Sequence, residues 1–275
     1  MFIRGIRGQK TKIMFTNNDD TKIYWEETGS GDPLLLIIGL GGTHKDWFRL
    51  VPKLAEKYRV ITFDNRGTGE TVASDEPFSI AAMASDAKAV LEAAGVRKAH
   101  VHGMSMGGMI AQEFALNYPE MVRSLILGVT ACGGSQSVLA KPEVYATLQG
   151  RGISTPEEAF WAMAPYIYDE TSTKETIAED LQIREGKFTE PANFMRQLQA
   201  IVAWPGSHAR LSNIKAPTLV LHGENDQLIP AENSKIIADQ IPNAEHVNIE
   251  NCSHIFMTDQ TEKSAEIILD FLKDK

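Results

Sequence analysis

The chain has 275 residues, of which 43% are hydrophobic and 23% are charged, and it contains two cysteines. This composition is that of an ordinary globular protein and excludes disordered, collagen-like and disulfide-rich chains, while the length allows one large domain or one domain with an insertion. The 36 acidic side chains outnumber the 27 basic ones, and the net charge of −9 argues against nucleic-acid binding, which requires a basic face.

Short apolar runs alternate with longer helical patterns along most of the chain. The runs Lys12–Phe15 and Lys22–Glu26 flank the turn signal Asn17-Asn18-Asp19-Asp20 and predict a hairpin. The run Leu34–Ile38 is continuously apolar, as expected for a strand buried on both faces. The later predicted strands are Val60–Phe63, Lys98–His102, Leu125–Val129, Thr218–His222 and Glu245–Ile249. The predicted helices are Asp46–Glu56 (interrupted by Pro52), Ile80–Ala94, Met106–Tyr118, Ala231–Gln240 and Thr258–Lys273.

This alternation predicts an α/β fold. We expect a mostly parallel central sheet of about eight strands with helices on both faces and an antiparallel N-terminal edge formed by the hairpin. The segment 133–211 interrupts the alternation, because it has a helical pattern punctuated by prolines. A helical block between two strands of a parallel sheet predicts a cap. We therefore divide the chain into a first core part (1–132), a helical cap (133–211) and a second core part (212–275).

The predicted cap is rich in aromatic and methionine side chains that are able to line a substrate cavity. Trp161 and Trp204 are candidate substrate contacts, although aromatic side chains in such a segment more often pack against the core. The cap also carries basic residues that would offset the acidic balance locally: Lys141, Arg151, Lys174, Arg184, Lys187 and Arg196.

The sequence predicts a cytoplasmic protein. No apolar run approaches the roughly 18 residues of a membrane helix, and the basic segment Met1–Gly8 is not followed by the apolar stretch of a secretory signal. Cys132 and Cys252 fit no zinc-binding spacing and are predicted to be buried thiols. We expect no metal, no membrane partner and no nucleic acid.

The segment Gly103-Met104-Ser105-Met106-Gly107 matches the pattern G-x-S-x-G. It follows a predicted strand and opens the helix that begins at Met106, which is the strand–turn–helix setting of a nucleophilic serine. Glycine is needed two residues before and two residues after Ser105, because a turn this tight brings the flanking backbone into contact with any Cβ at those positions. We expect Ser105 at the tip of a strained turn, with the positive end of the helix behind it.

A nucleophilic serine needs a base, and the base needs an orienting acid. Asp226 lies in the loop after one predicted strand, with Glu224 as its competitor, and His254 lies in the loop after the last strand. The carboxyl ends of parallel strands meet at one edge of a sheet, so these loops are expected to converge with Ser105. Of the remaining histidines, His100, His102, His222 and His246 fall in or beside strands and are predicted to be structural, His208 lies at the cap–core junction, and His44 lies in a loop at the expected mouth.

Together these segments resemble the α/β-hydrolase superfamily with a helical cap, and in particular its esterase, enol-lactonase and cofactor-free haloperoxidase branches. The resemblance extends from about Thr21 to Leu272 and includes the chain order Ser, Asp, His. It implies a catalytic triad of Ser105, Asp226 and His254 and no cofactor. The family pattern places a proline four residues after the acid, here Pro230, and therefore favours Asp226 over Glu224. Some relatives carry the acid after the preceding strand instead. In this chain that segment, 127–132, contains no carboxylate, which strengthens the assignment of Asp226.

The resemblance also implies an oxyanion hole made by the backbone N–H groups of Leu40 and Met106. Many relatives have His-Gly where this chain has Ile38-Gly39, which leaves open what supports the loop. Gly41 lets this loop pass close to a substrate, so Gly41 and His44 are further candidate substrate contacts. The segment Asp64–Gly69 resembles the family's D-x-R-G-x-G sequence and is interpreted as a structural turn.

The expected function is hydrolysis of a carboxylic ester or lactone of a small, largely apolar substrate through an acyl-enzyme, by a monomer or homodimer. Three alternatives remain on the same fold. Carbon–carbon bond hydrolases and perhydrolases use the same triad, and a small-molecule receptor would bind a ligand with slow turnover. Serine as the nucleophile argues against dehalogenase and epoxide hydrolase chemistry, for which relatives use aspartate at that position.

Overall fold

The computed structural model describes residues 12–150, 155–184 and 188–275, so Met1–Gly8, Arg151 and Lys187 lie outside the described residues. Eight strands form one sheet in the order β1-β2-β4-β3-β5-β6-β7-β8. The strands are β1 Lys12–Asn18, β2 Thr21–Gly29, β3 Asp32–Ile37, β4 Tyr58–Phe63, β5 Ala99–Met104, β6 Val122–Gly128, β7 Thr218–Gly223 and β8 Glu245–Ile249.

The sheet is antiparallel at its N-terminal edge and parallel elsewhere, as predicted. β1 and β2 form the hairpin, with Asp19 in the left-handed region (φ 49°) at the turn, and β2 pairs antiparallel with β4. The pairs β4–β3, β3–β5, β5–β6, β6–β7 and β7–β8 are all parallel. The carboxyl ends of β3, β5, β7 and β8 therefore meet at one edge, where the predicted catalytic loops begin.

Helices cover both faces of the sheet. They are α1 Val51–Leu54, α2 Ile80–Ala93, α3 Met106–Asn117, α4 Pro142–Gly150, α5 Pro156–Ile167, α6 Lys174–Arg184, α7 Pro191–Ala203, α8 Glu232–Gln240, α9 Phe256–Asp259 and α10 Thr261–Leu272. Successive side chains of β3 point to opposite faces of the sheet. Leu35 and Ile37 pack toward α2, α3 and α8, while Leu34 and Leu36 pack toward α1, α9 and α10. Within the described ranges, no helix is both long and apolar enough to cross a membrane.

Two predicted helices differ from the observed ones. The predicted helix Asp46–Glu56 is a 3₁₀ segment, His44–Trp47, followed by α1, which begins with a proline in its first turn. The predicted helix Thr258–Lys273 is divided into α9 and α10, because Gln260 between them has a non-helical backbone (φ −136°, ψ 56°). The two cysteines are free and buried, as predicted.

Four helices, α4 to α7, lie between β6 and β7 and form a helical insertion within residues 133–211. They enclose a hydrophobic cluster of their own, which includes Val144, Phe160 and Met163. Hydrogen bonds join the insertion to the loops beyond the sheet edge: Arg49 donates to Asp180, and the N–H of Ile255 donates to the Ile167 carbonyl. The insertion therefore covers the edge at which the predicted catalytic loops converge. Its division from the core as a separate cap stays a prediction.

Candidate active site

Ser105 lies at the tip of the turn between β5 and α3. Its backbone conformation (φ 57°, ψ −123°) is one that residues other than glycine rarely adopt. A Cβ at Gly103 would lie 2.1 Å from the Gly107 carbonyl oxygen, and a Cβ at Gly107 would lie 2.0 Å from the Ile37 carbonyl oxygen. The strained turn is held by its neighbours, since the Thr130 hydroxyl donates to the Ser105 carbonyl at 2.7 Å. Only glycine fits two residues before and two residues after this serine.

The structure brings Ser105, His254 and Asp226 into one line. The Ser105 Oγ lies 3.0 Å from His254 Nε2, and His254 Nδ1 lies 2.7 Å from Asp226 Oδ2. All three residues are buried, with Ser105 8% exposed, so solvent weakens these contacts little. A hydroxyl, an imidazole and a carboxylate in this order are able to generate a serine nucleophile.

Asp226 is fixed from four directions. Its Oδ1 accepts the backbone N–H groups of Leu228 and Ile229, both at 2.9 Å, and its Oδ2 faces His254 at 2.7 Å and His222 at 3.1 Å. Burial favours the neutral acid, but the two imidazoles outweigh it and lower the pKa of Asp226 to about 2. The carboxylate is therefore ionised and oriented toward His254. Glu224, its competitor in the sequence, instead accepts the Asn251 N–H.

His222 is a site residue that the sequence analysis assigned to the structural background. Its Nε2 lies 3.1 Å from Asp226 Oδ2 and 2.7 Å from the Ile229 carbonyl oxygen, and both of these atoms only accept hydrogen bonds. Its Nδ1 has no partner among the described residues, which places the proton on Nε2. The available signal was a histidine at the end of an apolar strand, four residues before the predicted acid.

The loop after β3 carries Leu40 past Ser105. Met106 is the first residue of α3, so its N–H has no acceptor within the helix. A Cβ at Gly39, which precedes Leu40, would lie 2.9 Å from the Ser105 Cβ, which shows how closely this loop approaches the serine. Leu40 and Met106 both line the larger cavity at Ser105. Their assignment as the donors of an oxyanion hole stays a prediction.

Support for this loop comes from the helical insertion. Gln197 in α7 accepts the Gly41 N–H through Oε1 and donates to the Arg66 carbonyl through Nε2, both at 2.8 Å. Thr189 donates to the Gly41 carbonyl, and Asn65 donates to the Ile38 carbonyl. These bonds support the loop whose support the sequence left open. Gln197 was not among the predicted site residues, and its only sequence signal is a polar residue on the apolar face of an amphipathic helix.

Two cavities meet at Ser105 and share the wall formed by Leu40, Leu148 and Leu228. The larger has a volume of about 430 Å³ and extends along α7, with a lining dominated by apolar side chains. The smaller has a volume of about 70 Å³ and extends past His254 toward Arg184. A substrate bound over the serine therefore has two differently sized spaces available.

The four predicted substrate contacts lie in different places. Trp204 lines the larger cavity, and its Nε1 donates to Glu113 at 2.7 Å. Gly41 lies beside Phe194, while Trp161 packs edge-on against Phe160 and lines an outer groove.

His44 stacks on Tyr24, and its Nδ1 lies 2.8 Å from Asp64 Oδ1. Burial opposes a charge on this ring, but the carboxylates of Asp64 and Glu26 raise the pKa of His44. The structure therefore brings Trp204 to the cavities at Ser105, whereas Gly41, His44 and Trp161 line neither of them.

The loop that carries His254 is tied to the end of α5. The Ile255 N–H donates to the Ile167 carbonyl at 2.9 Å, next to the imidazole. Asp259 joins the same two regions, since its Oδ2 accepts the N–H groups of Asp169 and Ser253. Burial raises the pKa of Asp259 to about 6. Within the described residues, no group of three or more His, Cys, Asp or Glu side chains is arranged to hold a metal ion.

The sequence and the structure are similar to those of known proteins. Residues 32–260 match the family model described as the alpha/beta hydrolase fold. The chain is 31% identical over 262 residues to a protein of Azorhizobium caulinodans named as a carbamate hydrolase, RutD, covering 94% of this chain and 97% of that one. It is also 31% identical to a poly(3-hydroxyalkanoate) depolymerase of Ectopseudomonas oleovorans, covering 88% and 85% of the two chains. The solved structure of a thermophilic esterase from Thermogutta terrifontis superposes with a TM-score of 0.81 at 26% identity, covering 96% and 98% of the two chains.

Proposed function

The chain belongs to the α/β-hydrolase fold family, and from that premise we propose that it is a serine hydrolase that cleaves a carboxylic ester or lactone through an acyl-enzyme. The single observation that carries the proposal is the line from Ser105 through His254 to Asp226, with separations of 3.0 and 2.7 Å. The names of the relatives support hydrolysis as the reaction class, since they include a carbamate hydrolase, a polyester depolymerase and an esterase.

The mechanism follows from the protonation states. The Asp226 carboxylate accepts from His254 Nδ1–H, which leaves Nε2 free to accept the Ser105 proton. As Oγ forms a bond to the substrate carbonyl carbon, the electron pair of the carbonyl moves onto its oxygen. His254 then delivers its proton to the leaving oxygen as the carbon–oxygen bond breaks, and the acyl-enzyme remains. Water attacks the acyl carbon, His254 takes a proton from that water, and Ser105 recovers its proton as the acid leaves.

The developing oxyanion needs donors that are already in position. In the proposal, the N–H groups of Leu40 and Met106 donate to it, and the dipole of α3 adds positive potential at the same point. Removing one such donor in other serine hydrolases costs about 10²–10³ in kcat, so the position of the Leu40 loop is expected to matter. Trp204 and the apolar wall beside it are the proposed contacts for a largely apolar, small-molecule substrate.

The test is hydrolysis of p-nitrophenyl esters from acetate to laurate by the wild type, Ser105→Ala and Ser212→Ala. Ser212 is exposed and serves as the matched control. We expect Ser105→Ala to lower kcat by roughly 10⁴–10⁶ and Ser212→Ala to leave it unchanged. Near-wild-type turnover by purified Ser105→Ala would overturn the assignment. If a phosphonate probe labels Ser105 but no ester or lactone is hydrolysed, the ester function is wrong, and carbon–carbon substrates, peroxide-dependent acyl transfer and receptor behaviour are tested next.

A further inference from the structure

We infer that the substrate has a large apolar acyl side and a small polar leaving side, and that these occupy the larger and the smaller cavity at Ser105, respectively. The inference rests on the proposed function, because it takes Ser105 as the nucleophile and His254 as the proton donor. It adds a direction to the bound ester, which neither the fold nor the catalytic residues define by themselves.

The direction follows from the position of His254. Proton delivery requires the leaving oxygen to lie within hydrogen-bond reach of His254 Nε2. The smaller cavity is lined by His254 and not by Met106, whereas the larger cavity is lined by Met106 and not by His254. The leaving group of a tetrahedral intermediate on Ser105 therefore enters the smaller cavity. The acyl chain, which shares the carbonyl carbon but points away from the imidazole, enters the larger one.

The larger cavity has the chemistry of an acyl-chain site. Its volume is about 430 Å³, and Met109, Leu198, Ile201 and Trp204 contribute apolar surface. The indole N–H of Trp204 is already bonded to Glu113, so it makes no polar demand on a ligand. A hydrocarbon chain is therefore favoured in this cavity by burial alone.

The smaller cavity is also lined mostly by apolar residues, but part of its wall is charged, which the wall of the larger cavity is not. Its volume is about 70 Å³, and its far end carries Asp46, Asp180, Arg184 and Thr258. These charges already compensate one another, since Arg184 pairs with Asp46 and Asp180 pairs with Arg49. A small polar group can exchange hydrogen bonds with such a wall, whereas a long alkyl chain would bury it without replacing its contacts with water.

The mouth of the larger cavity extends the apolar surface outward. Seven large hydrophobic residues are exposed in the part of the chain that the structure describes. Four of these line the larger cavity: Val138, Leu139, Tyr145 and Val202. Exposed apolar side chains gathered at one opening are typical of a binding groove. A chain longer than the cavity would continue across this rim.

Two isomeric esters test the direction in the wild-type enzyme. Methyl octanoate carries its carbons on the acyl side, and heptyl acetate carries the same number mainly on the leaving side. Since each buried methylene contributes about fourfold, we expect kcat/KM to favour methyl octanoate by at least about tenfold, measured as acid released in a pH-stat. Equal values or a preference for heptyl acetate would overturn the direction and leave the ester function standing. Turnover of neither ester, nor of any p-nitrophenyl ester, would overturn both.

A cavity-filling variant locates the chain. Ile201 lines the larger cavity, whereas Gln199 is exposed on the same helix, α7, and lines neither cavity. We expect Ile201→Trp to lower the ratio of kcat/KM for methyl octanoate to that for methyl butyrate by at least about tenfold, while Gln199→Trp leaves the ratio unchanged. A ratio that is the same in a folded Ile201→Trp protein, judged by circular dichroism, would contradict the assignment. The isomer comparison does not depend on how this variant folds.

Discussion

The two sides of Ser105 are held by different parts of the molecule. On the core side, the serine turn, Asp226 and His254 follow three parallel strands, β5, β7 and β8, and the turn is fixed by Thr130, which follows β6 between them. On the other side, the Leu40 loop is fixed by Gln197, which is 156 residues away from Gly41 in the chain. The core side therefore depends mainly on sheet topology and backbone sterics, whereas the Leu40 loop depends on long-range side-chain hydrogen bonds, from Gln197 of the insertion and from Asn65 of the core.

This difference affects how each side is expected to fail. A backbone clash in the core has no soft neighbour to move, so it acts on stability and activity together. A lost side-chain bond on the insertion side leaves the fold intact but releases a loop that must be accurately placed. Substitutions on the two sides are therefore expected to differ in whether they change stability, catalysis or both.

Gly107→Ala should produce the largest effect, because its Cβ would lie 2.0 Å from the Ile37 carbonyl oxygen. We expect at least about 3 kcal/mol lower free energy of unfolding, measured by urea denaturation, together with loss of ester turnover. Gly150→Ala is the matched control, since a Cβ there meets nothing within 4 Å. A Gly107→Ala protein with wild-type stability would show that the turn is not sterically fixed.

Gln197→Leu should act mainly on catalysis. It leaves the partly buried Gly41 N–H without its acceptor and the Arg66 carbonyl without its donor, which frees the Leu40 loop. We expect about a tenfold fall in kcat with little change in KM, because the loop acts on the transition state. Gln199→Leu on the same helix should be silent. A rise in KM with unchanged kcat would instead assign Gln197 to substrate binding.

Asp259 joins the two sides of the site. It accepts one N–H from Asp169, in the insertion, and one from Ser253, in the loop that carries His254. Its pKa is raised by burial from 3.8 to about 6, so the folded protein binds a proton that the unfolded chain has lost between these values. The free energy of unfolding therefore falls as pH rises from about 4 to 6, by about 1 kcal/mol after discounting for partial exposure.

Asp259→Asn should remove this component. The difference in unfolding free energy between wild type and Asp259→Asn, measured from pH 4.5 to 7, is expected to decrease with rising pH. The pKa of Asp226, about 2, lies below this range and does not contribute to the difference. Asp270→Asn, an exposed carboxylate on α10, is the control. A difference that stays constant across the range would contradict the prediction.

His222→Leu should have the smallest effect, and it would appear in the pH profile. Without the His222 N–H on Oδ2, more of the Asp226 charge faces His254 and stabilises its imidazolium form. The acid limb of kcat/KM should therefore move to higher pH, by about half a unit. His222→Gln keeps a donor near the position of Nε2 and should restore the wild-type limb. If the acid limb of kcat/KM is the same in both variants as in the wild type, His222 only packs beside Asp226.

The sequence predicted the fold and the convergence of Ser105, Asp226 and His254 because these depend on local rules. Apolar runs defined the strands, and the glycines around Ser105 carried a steric requirement that the structure reproduces at Gly103 and Gly107. The roles of the three residues stay a proposal, tested by the Ser105→Ala series above.

The sequence could not predict the partners of His222 and Gln197, because each bond depends on where another loop lies in space. His222 looked like a strand residue, although its Nε2 faces the carboxylate of Asp226. His44 was expected at the mouth, but its loop turns the ring toward Asp64 and Tyr24. The break at Gln260 was hidden for the same reason, since the helical pattern continues through it while Asp259 is bonded to other segments.

One backbone hydrogen bond joins the helical insertion directly to the loop that carries His254. The Ile255 N–H, adjacent to His254, donates to the last residue of α5, Ile167. The peptide that follows the catalytic histidine is therefore anchored on the insertion as well as on the sheet. A change in the length or sequence at the end of α5 is expected to act on the imidazole through this contact, although α5 supplies neither the nucleophile, the base nor the acid.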